Sequence, residues 1–303
     1  MKKVNRITVN SISQLHHMLN ISSPLHPLVS VIKLDELNPA TWIEWEQMIL
    51  NYYNITVKKS LNASMRYGQS RYDFNQGTMA FISPGQMISL EATDPGCKGW
   101  CISFHPDFIN QYPLGKQIKN FGFFSYDVNE ALHLSEKEDT MMDSIITNLK
   151  QEYEMTIDNF SQELMVSHLE LLLNYSNRFY TRQFITRKTV GNNLLARLEE
   201  ILTEYFSGNL VAEMGLPTVQ YISAKLNVSP SYLSDMLRNL TGQNTQQHIH
   251  SKLIDKAKQA LSTTSLSVSE IAYQLGFEYP QSFNKLFKNK TELSPLEYRN
   301  LFN

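Results

Sequence analysis

Gln281, Asn284, Lys285 and Lys288 recur at intervals of three and four, a spacing that places their side chains on one face of a helix. Such a set suits a polyanion that also presents hydrogen-bonding edges. A carboxamide pairs with adenine in the major groove, whereas a lysine ammonium holds phosphate. Lys290 is a weaker member of the group. Upstream, Ser231, Ser234 and Arg238 offer hydroxyls and a guanidinium for the same chemistry, with Pro230 setting the helix entrance.

Positioning the downstream set requires two helices and a tight turn. Ser267 caps the first helix, with Glu270 spaced to return a bond to the cap's amide. Val268, Ile271 and Leu275 then share a face, and Gly276 stands where a left-handed residue ends a helix. Phe277 folds back into the core, and Pro280 suits the first turn of the second helix. Phe283, Leu286 and Phe287 make its buried stripe, leaving the amides and lysines directed elsewhere. Ser294 and Pro295 start a short helix that carries Tyr298 and Arg299.

Taken alone, this pattern equally describes an ordinary helical hairpin with a solvated lysine face. A second copy changes the balance. Val219, Ile222 and Leu226 precede Val268, Ile271 and Leu275 by 49 residues, while Leu233, Leu237 and Gly242 precede Phe283, Phe287 and Glu292 by 50. Thr218 caps the first helix of this copy, and Ser229-Pro230 opens its second. The chain thus contains a duplicated helix-turn-helix. Between the copies, Ile249, Leu253, Ala257 and Leu261 form one face of a connecting helix. About 15 residues of helix span roughly 22 Å, a rigid spacer between readers of groove segments about 34 Å apart.

At these residues the chain resembles the AraC/XylS family of bacterial transcriptional regulators. In the second copy the likeness runs through Ile271, Ala272, Gly276, Phe277, Ser282, Phe283, Phe287, Lys288, Ser294, Pro295, Tyr298 and Arg299. In the first it includes Ser229, Tyr232, Leu233, Ser234, Thr241 and Gly242, then Leu253 and Ala257 of the connecting helix. The resemblance covers residues 194–303 and implies binding to double-stranded promoter DNA, a partnership with RNA polymerase, and control by a small-molecule effector. It also implies a cupin-like N-terminal barrel followed by dimerising helices, hence a homodimer. Three positions depart from the pattern. Asp235 stands where the family usually has Arg or Lys, Tyr279 replaces a small polar cap, and Glu292 replaces a glycine. A left-handed Glu292 would cost roughly 1–2 kcal/mol.

The N-terminal part reads differently. Strand candidates are residues 28–32, 52–58, 63–67, 78–82, 87–91 and 100–104, whose close spacing favours a small barrel or sandwich. Arg66, Tyr67, Arg71 and Tyr72 are candidate contacts for an anionic or polar effector, with outer-face strand positions as the plainer alternative. No histidine lies between Asn38 and Ser103, so a barrel metal site lacks its usual ligands, and His105 reads as a packed or solvated side chain. Cys97 and Cys101 form a lone C-x3-C pair, read as small buried residues rather than zinc ligands or a disulfide framework.

Helical periods begin at Ser135, which with Glu138 forms a capping box before Met142, Ile145, Leu149 and Tyr153. Leu164, His168, Leu171, Leu172, Tyr175 and Phe179 make one stripe of the next helix, and Val166, Leu169 and Leu173 a second. Two apolar sides require two partners, either within the chain or in another copy. Residues 177–188 carry Arg178, Arg182, Arg187 and Lys188 without an acid, and read as a linker or a helix extension whose charge can touch phosphate. A new helical domain starts with Leu194, Leu198, Ile201, Leu202 and Tyr205.

With 303 residues, 42% hydrophobic and 18% charged, the chain can bury two sizeable cores. Its net charge of −2 is unevenly spread: residues 1–177 sum to −6 and residues 219–303 to +3, which favours the C-terminal end as the anion-binding one. No apolar run approaches the roughly 20 residues of a membrane span and no leader pattern opens the chain, so a cytoplasmic location with no membrane partner is expected. The expected fold class is α+β: a cupin-like sensing domain over residues 1–134, a helical dimerisation region and linker over 135–188, and an all-α double helix-turn-helix domain over 189–303. The absence of a nucleophile triad, metal cluster or glycine-rich phosphate loop argues against an enzyme, so no catalytic residue, metal or cofactor is assigned. The competing reading is a cupin-type enzyme or sensor with an appended helical interaction domain.

Overall fold

The computed structural model describes residues 6–37, 47–59, 66–67, 70–71, 77–89, 98–127, 130–186, 188–208 and 210–302. They form two compact units, Met1–Gln183 and Phe184–Asn303. The architecture is α+β, β-rich at the N-terminal end and helical thereafter.

The first unit runs β1 (Arg6–Val9), α1 (Ile12–Met18), β2 (Val29–Lys33), β3 (Gln47–Leu50), β4 (Tyr53–Lys59), β5 (Arg66–Tyr67), β6 (Ser70–Arg71), β7 (Thr78–Ile82), β8 (Met87–Ser89) and β9 (Lys98–Phe104). The short helices α2 (Pro106–Ile109) and α3 (Pro113–Gln117), strand β10 (Leu132–His133) and the long helices α4 (Glu136–Glu154) and α5 (Ser161–Thr186) follow. The five-stranded antiparallel sheet is ordered β10-β7-β4-β9-β2, and a three-stranded sheet is ordered β1-β3-β8, with β1 parallel to β3. Among the described residues both sheets are open, so the barrel-or-sandwich expectation resolves toward a sandwich. Val9, Met48, Leu50 and Ile88 of the smaller sheet share one core with Ile32, Ile82 and Cys101 of the larger.

A buried polar row crosses the larger sheet. Ser30 pairs in register with Ser103, and Ser103 with Asn54. Asn54 Nδ2 donates to Ser103 Oγ (3.0 Å) and to Cys101 Sγ (3.1 Å). His16 Nδ1 lies 2.6 Å from the Ser22 carbonyl and Nε2 lies 2.7 Å from Ser30 Oγ. A carbonyl only accepts, so Nδ1 carries the proton and Nε2 accepts from Ser30. This pins α1 onto the sheet. Burial pushes the Cys101 thiol up, in keeping with an inert core residue, while Cys97 lies outside the described residues. His105 Nδ1 accepts from the Asp107 amide and so caps α2.

The Ser135–Glu138 capping box opens α4, and Met142, Ile145, Leu149 and Tyr153 are buried along it. Glu138 also takes both Nε and Nη2 of Arg182 on α5, at 3.0 and 2.7 Å, and Arg182 donates to the His133 carbonyl. Arg182 is therefore engaged within its own unit. The stretch expected as linker or helix extension is helix as far as Thr186; Arg187 lies outside the described residues and Lys188 begins the next helix. Val166, Leu169, Leu172 and Leu173 are buried on α5, whereas Leu164 and Leu171 are 46% and 44% exposed.

The second unit contains α6 (Lys188–Ser207), α7 (Leu210–Met214), α8 (Val219–Leu226), α9 (Pro230–Thr241), α10 (Thr245–Thr263), α11 (Val268–Gln274), α12 (Pro280–Thr291) and α13 (Pro295–Arg299). Its second copy packs Ile271, Ala272, Leu275, Phe277, Phe283 and Phe287 against Leu253, Ile254, Ala257 and Leu261 of α10. Phe283 and Phe287 are fully buried, each worth roughly 1.5–3 kcal/mol of transfer. The turn after α11 needs its glycine: Gly276 has φ +84°, and a Cβ there would lie 2.9 Å from the Gly215 carbonyl carbon and from Val211 Cγ1.

Candidate nucleic-acid interface

The caps that start the helices of the two copies are local. Ser229 Oγ accepts from the Tyr232 amide at the start of α9, and Ser267 and Glu270 complete a reciprocal box at the start of α11. Tyr279 makes no side-chain cap to α12, so Pro280 alone marks that entrance. At the far end, Glu292 takes a left-handed φ of 65° and its amide bonds the Lys288 carbonyl at 2.8 Å. Gly242 does the same after α9, with φ 77° and a 3.0 Å bond to the Arg238 carbonyl. The two copies thus end on the same left-handed turn despite the glutamate.

Each residue of a helix turns about 100°. On α12 that brings Gln281, Asn284, Lys285 and Lys288 into an arc of about 100°, opposite the buried Phe283 and Phe287. All four are exposed. Asn284, Lys285 and Lys288 also line a cleft of about 430 Å³ with Val268 at the start of α11 and Ser294 at the entrance to α13. Lys290 falls off this arc. Among the described residues none of the three lysines enters an ion pair. The face therefore presents two ammonium groups beside two side-chain amides. Around it, the hydrogen bonds from Ser267 and Ser294 hold the Glu270 and Glu297 carboxyls below the usual glutamate range, the latter aided by Lys288.

A shift of 50 residues maps these positions onto Ser231, Ser234, Asp235 and Arg238 of α9. Their surroundings differ. Ser234 Oγ lies 3.0 Å from Oγ1 of the buried Thr245, so part of its hydrogen-bonding capacity is already taken. Arg238 Nη1 donates to Asp235 Oδ1 at 2.7 Å, with the two side chains 54% and 27% exposed. Ser231 is half-buried. Sequence reasoning missed Thr245, which anchors Ser234, and treated Asp235 only as a lost cation. The three-residue interval from Asp235 to Arg238 on a helix is the signal that would have found the pair.

In the first unit Arg66 pairs in register with Arg71 and Tyr67 with Ser70 across the β5–β6 hairpin, which brings the two arginine positions together along the backbone. Tyr72 lies outside the described residues. Among the described residues no group of three His, Cys, Asp or Glu is placed to hold a metal, and no helix is long and apolar enough to cross a membrane.

Comparison with known proteins assigns both ends. Residues 222–301 match the model of a helix-turn-helix domain, and residues 62–173 match that of an AraC-like ligand binding domain. The lactose operon transcription activator of Staphylococcus xylosus is 21% identical over 257 residues, covering 82% of this chain and 87% of that protein. The HTH-type transcriptional activator RhaS of Enterobacter sp. (strain 638) is 24% identical over 230 residues, covering 75% and 78%. Among solved structures, the C-terminal domain of the two-component response regulator yesN from Fusobacterium nucleatum is 33% identical, covering 35% of this chain and 98% of that one with a TM-score of 0.31.

Proposed function

The chain belongs to the AraC/XylS family of DNA-binding transcription regulators, and from that premise we propose that the exposed arcs of α9 and α12 read two adjacent major-groove segments of one promoter. Gln281 and Asn284 read bases through their amides, and Lys285 and Lys288 hold phosphates. Ser231, Ser234 and Arg238 serve the other segment. The observation that carries this reading is the placement of equivalent positions of the two copies on outward arcs opposite their buried stripes. The connecting helix α10, about 28 Å long at 19 residues, separates the two readers.

Titration of the full chain on a promoter fragment at several salt concentrations tests the assignment. Lys288→Ala weakens binding to all sequences alike and lowers the salt slope by about 1. Gln281→Ala or Asn284→Ala instead costs about 1–3 kcal/mol at particular base pairs. If all three left affinity, preference and salt slope unchanged, this map of contacts would be wrong.

The rest of the reading follows the same premise. Residues 1–134 sense a small anionic or polar effector through Arg66, Tyr67, Arg71 and Tyr72, residues 135–188 dimerise and link, and residues 189–303 bind DNA. The regulator acts in the cytoplasm as a homodimer, recruits RNA polymerase as an activator, and has no catalytic activity. Support comes from the ligand-binding match over residues 62–173 and the activator relatives. Effector control is tested by promoter occupancy with and without candidate metabolites in wild type and in the Arg66→Ala/Arg71→Ala variant; occupancy that never responds to any metabolite removes it.

A further inference from the structure

The two recognition helices carry different charge patterns. Residues 280–291 contain three lysines and no acid, whereas residues 230–241 contain one arginine and one aspartate. In the second helix, a lysine occupies the position equivalent to Asp235. The aspartate is bonded to the arginine one turn on, Nη1 to Oδ1 at 2.7 Å, and most of Arg238 remains exposed. The main-chain carbonyl of Asp235 also accepts from Asn239 Nδ2 at 2.8 Å.

As a phosphate clamp this pair is poorly built. The carboxylate cancels the guanidinium charge and repels a phosphate that approaches either group. As a base reader it is well built. A guanidinium is a planar fork of donors, and fixing one Nη leaves the Nη2 and Nε edge free to donate side by side. Guanine presents two acceptors, O6 and N7, on its major-groove edge at the spacing that such a fork satisfies. Holding a long flexible side chain in place before binding removes part of the ordering cost, which favours discrimination over general affinity.

On the promoter-binding reading above, we propose that Asp235 is a specificity-determining positioning residue: it holds Arg238 to read a guanine in the groove segment served by α9, and it lowers affinity for DNA in general. The second copy then supplies most of the phosphate-based, salt-sensitive binding. The first supplies selectivity at one base pair.

The test uses the full chain and a duplex selected by it from random DNA, with each G·C pair replaced in turn by A·T and binding followed by fluorescence anisotropy at several salt concentrations. For wild type, one guanine counts roughly 10-fold. Arg238→Ala abolishes that preference and leaves the others. Asp235→Ala reduces it severalfold while binding to random DNA tightens and the salt slope grows by about 1. Asp235→Asn, which keeps an oxygen acceptor, retains more of the preference than Asp235→Ala. In the double variant Asp235→Ala/Arg238→Ala the preference matches that of Arg238→Ala alone.

The inference is overturned if Asp235→Ala and Asp235→Asn tighten binding to all duplexes equally with the guanine preference intact, since that is a charge effect alone. It is also overturned if Arg238→Ala weakens every duplex by the same factor. A wild-type chain with no preference for any selected duplex over random DNA would remove the promoter-binding reading itself, an outcome distinct from either of these. Circular dichroism of each variant confirms that the helices are retained.

Discussion

Replacing Glu292 with glycine should stabilise the C-terminal unit by about 1 kcal/mol. Glu292 closes α12 at φ 65° and ψ −6°, nearly the geometry of Gly242 after α9, at φ 77° and ψ −2°. The neighbouring threonines behave alike: Thr291 Oγ1 donates to the Phe287 carbonyl at 2.8 Å and Thr241 Oγ1 to the Leu237 carbonyl at 2.9 Å. The same turn is thus made once with the residue that tolerates it and once with one that does not. A left-handed side chain costs about 1–2 kcal/mol. A carboxylate at a helix C-terminus adds about 0.3–1 kcal/mol. Against this, glycine gives the unfolded chain freedom worth about 0.4–1 kcal/mol. The balance favours glycine.

The assay is chemical denaturation of the full chain, with amide hydrogen exchange along α12 as the local readout. Trp42, Trp45 and Trp100 all precede Gln183, so tryptophan fluorescence follows the first unit and should not move. Glu292→Gln separates the two contributions, because it removes the charge and keeps the left-handed side chain. A glycine variant no more stable than the glutamine variant would refute the backbone argument. Equal gains in both would assign the whole effect to charge.

Two further outcomes follow from burial and exposure. Burial holds His248 and His250 below the ordinary histidine value of 6.5, so the unfolded chain takes up protons first. Their contribution is complete above pH 6.5 and is lost as the pH falls from there through their lower folded values. Glu270 and Glu297, depressed from 4.5, contribute above that value and lose their contribution as the pH falls through their folded values. Denaturation midpoints across acid pH should therefore drop in two stages, and His248→Gln should flatten the first; an unchanged slope would reject the histidine assignment. On α5, Leu164→Glu with Leu171→Glu should halve the mass seen in sedimentation while the fold persists, since both side chains are exposed. Leu172→Glu, fully buried, should unfold the unit instead. A folded double variant of unchanged mass would reject this face of α5 as the proposed dimer interface.

Much of the second unit was legible before any coordinates. The caps at Ser229, Ser267 and Ser294 depend on residues three apart, and the apolar stripes on residues three and four apart. The 49- and 50-residue offsets tied the copies together, and the buried Phe283 and Phe287 follow from the same period. The strands at 78–82 and 100–104 were visible as short apolar runs. Their partners were not, because nothing in a run of five residues states which edge it will meet. The parallel pairing of β1 with β3 and the polar row from His16 through Ser30 and Ser103 to Asn54 join segments far apart in sequence.

The helices α5 and α9 divide the two kinds of information most clearly. Sequence alone determined that α5 is apolar on two sides and that α9 carries Ser231, Ser234, Asp235 and Arg238 on one arc, because helical period depends only on interval. Which side of α5 is covered, with Leu169 and Leu172 buried and Leu164 and Leu171 exposed, and that Arg182 ties the helix to Glu138 of α4, was decided by tertiary placement. Whether Ser234 faces solvent or Thr245 was decided by tertiary placement, whereas the Arg238–Asp235 pair lies within one helix and follows from its three-residue interval. Periodicity, caps and pairs three or four residues apart are properties of one segment, whereas burial and long-range hydrogen-bond partnership are settled only when a second surface arrives.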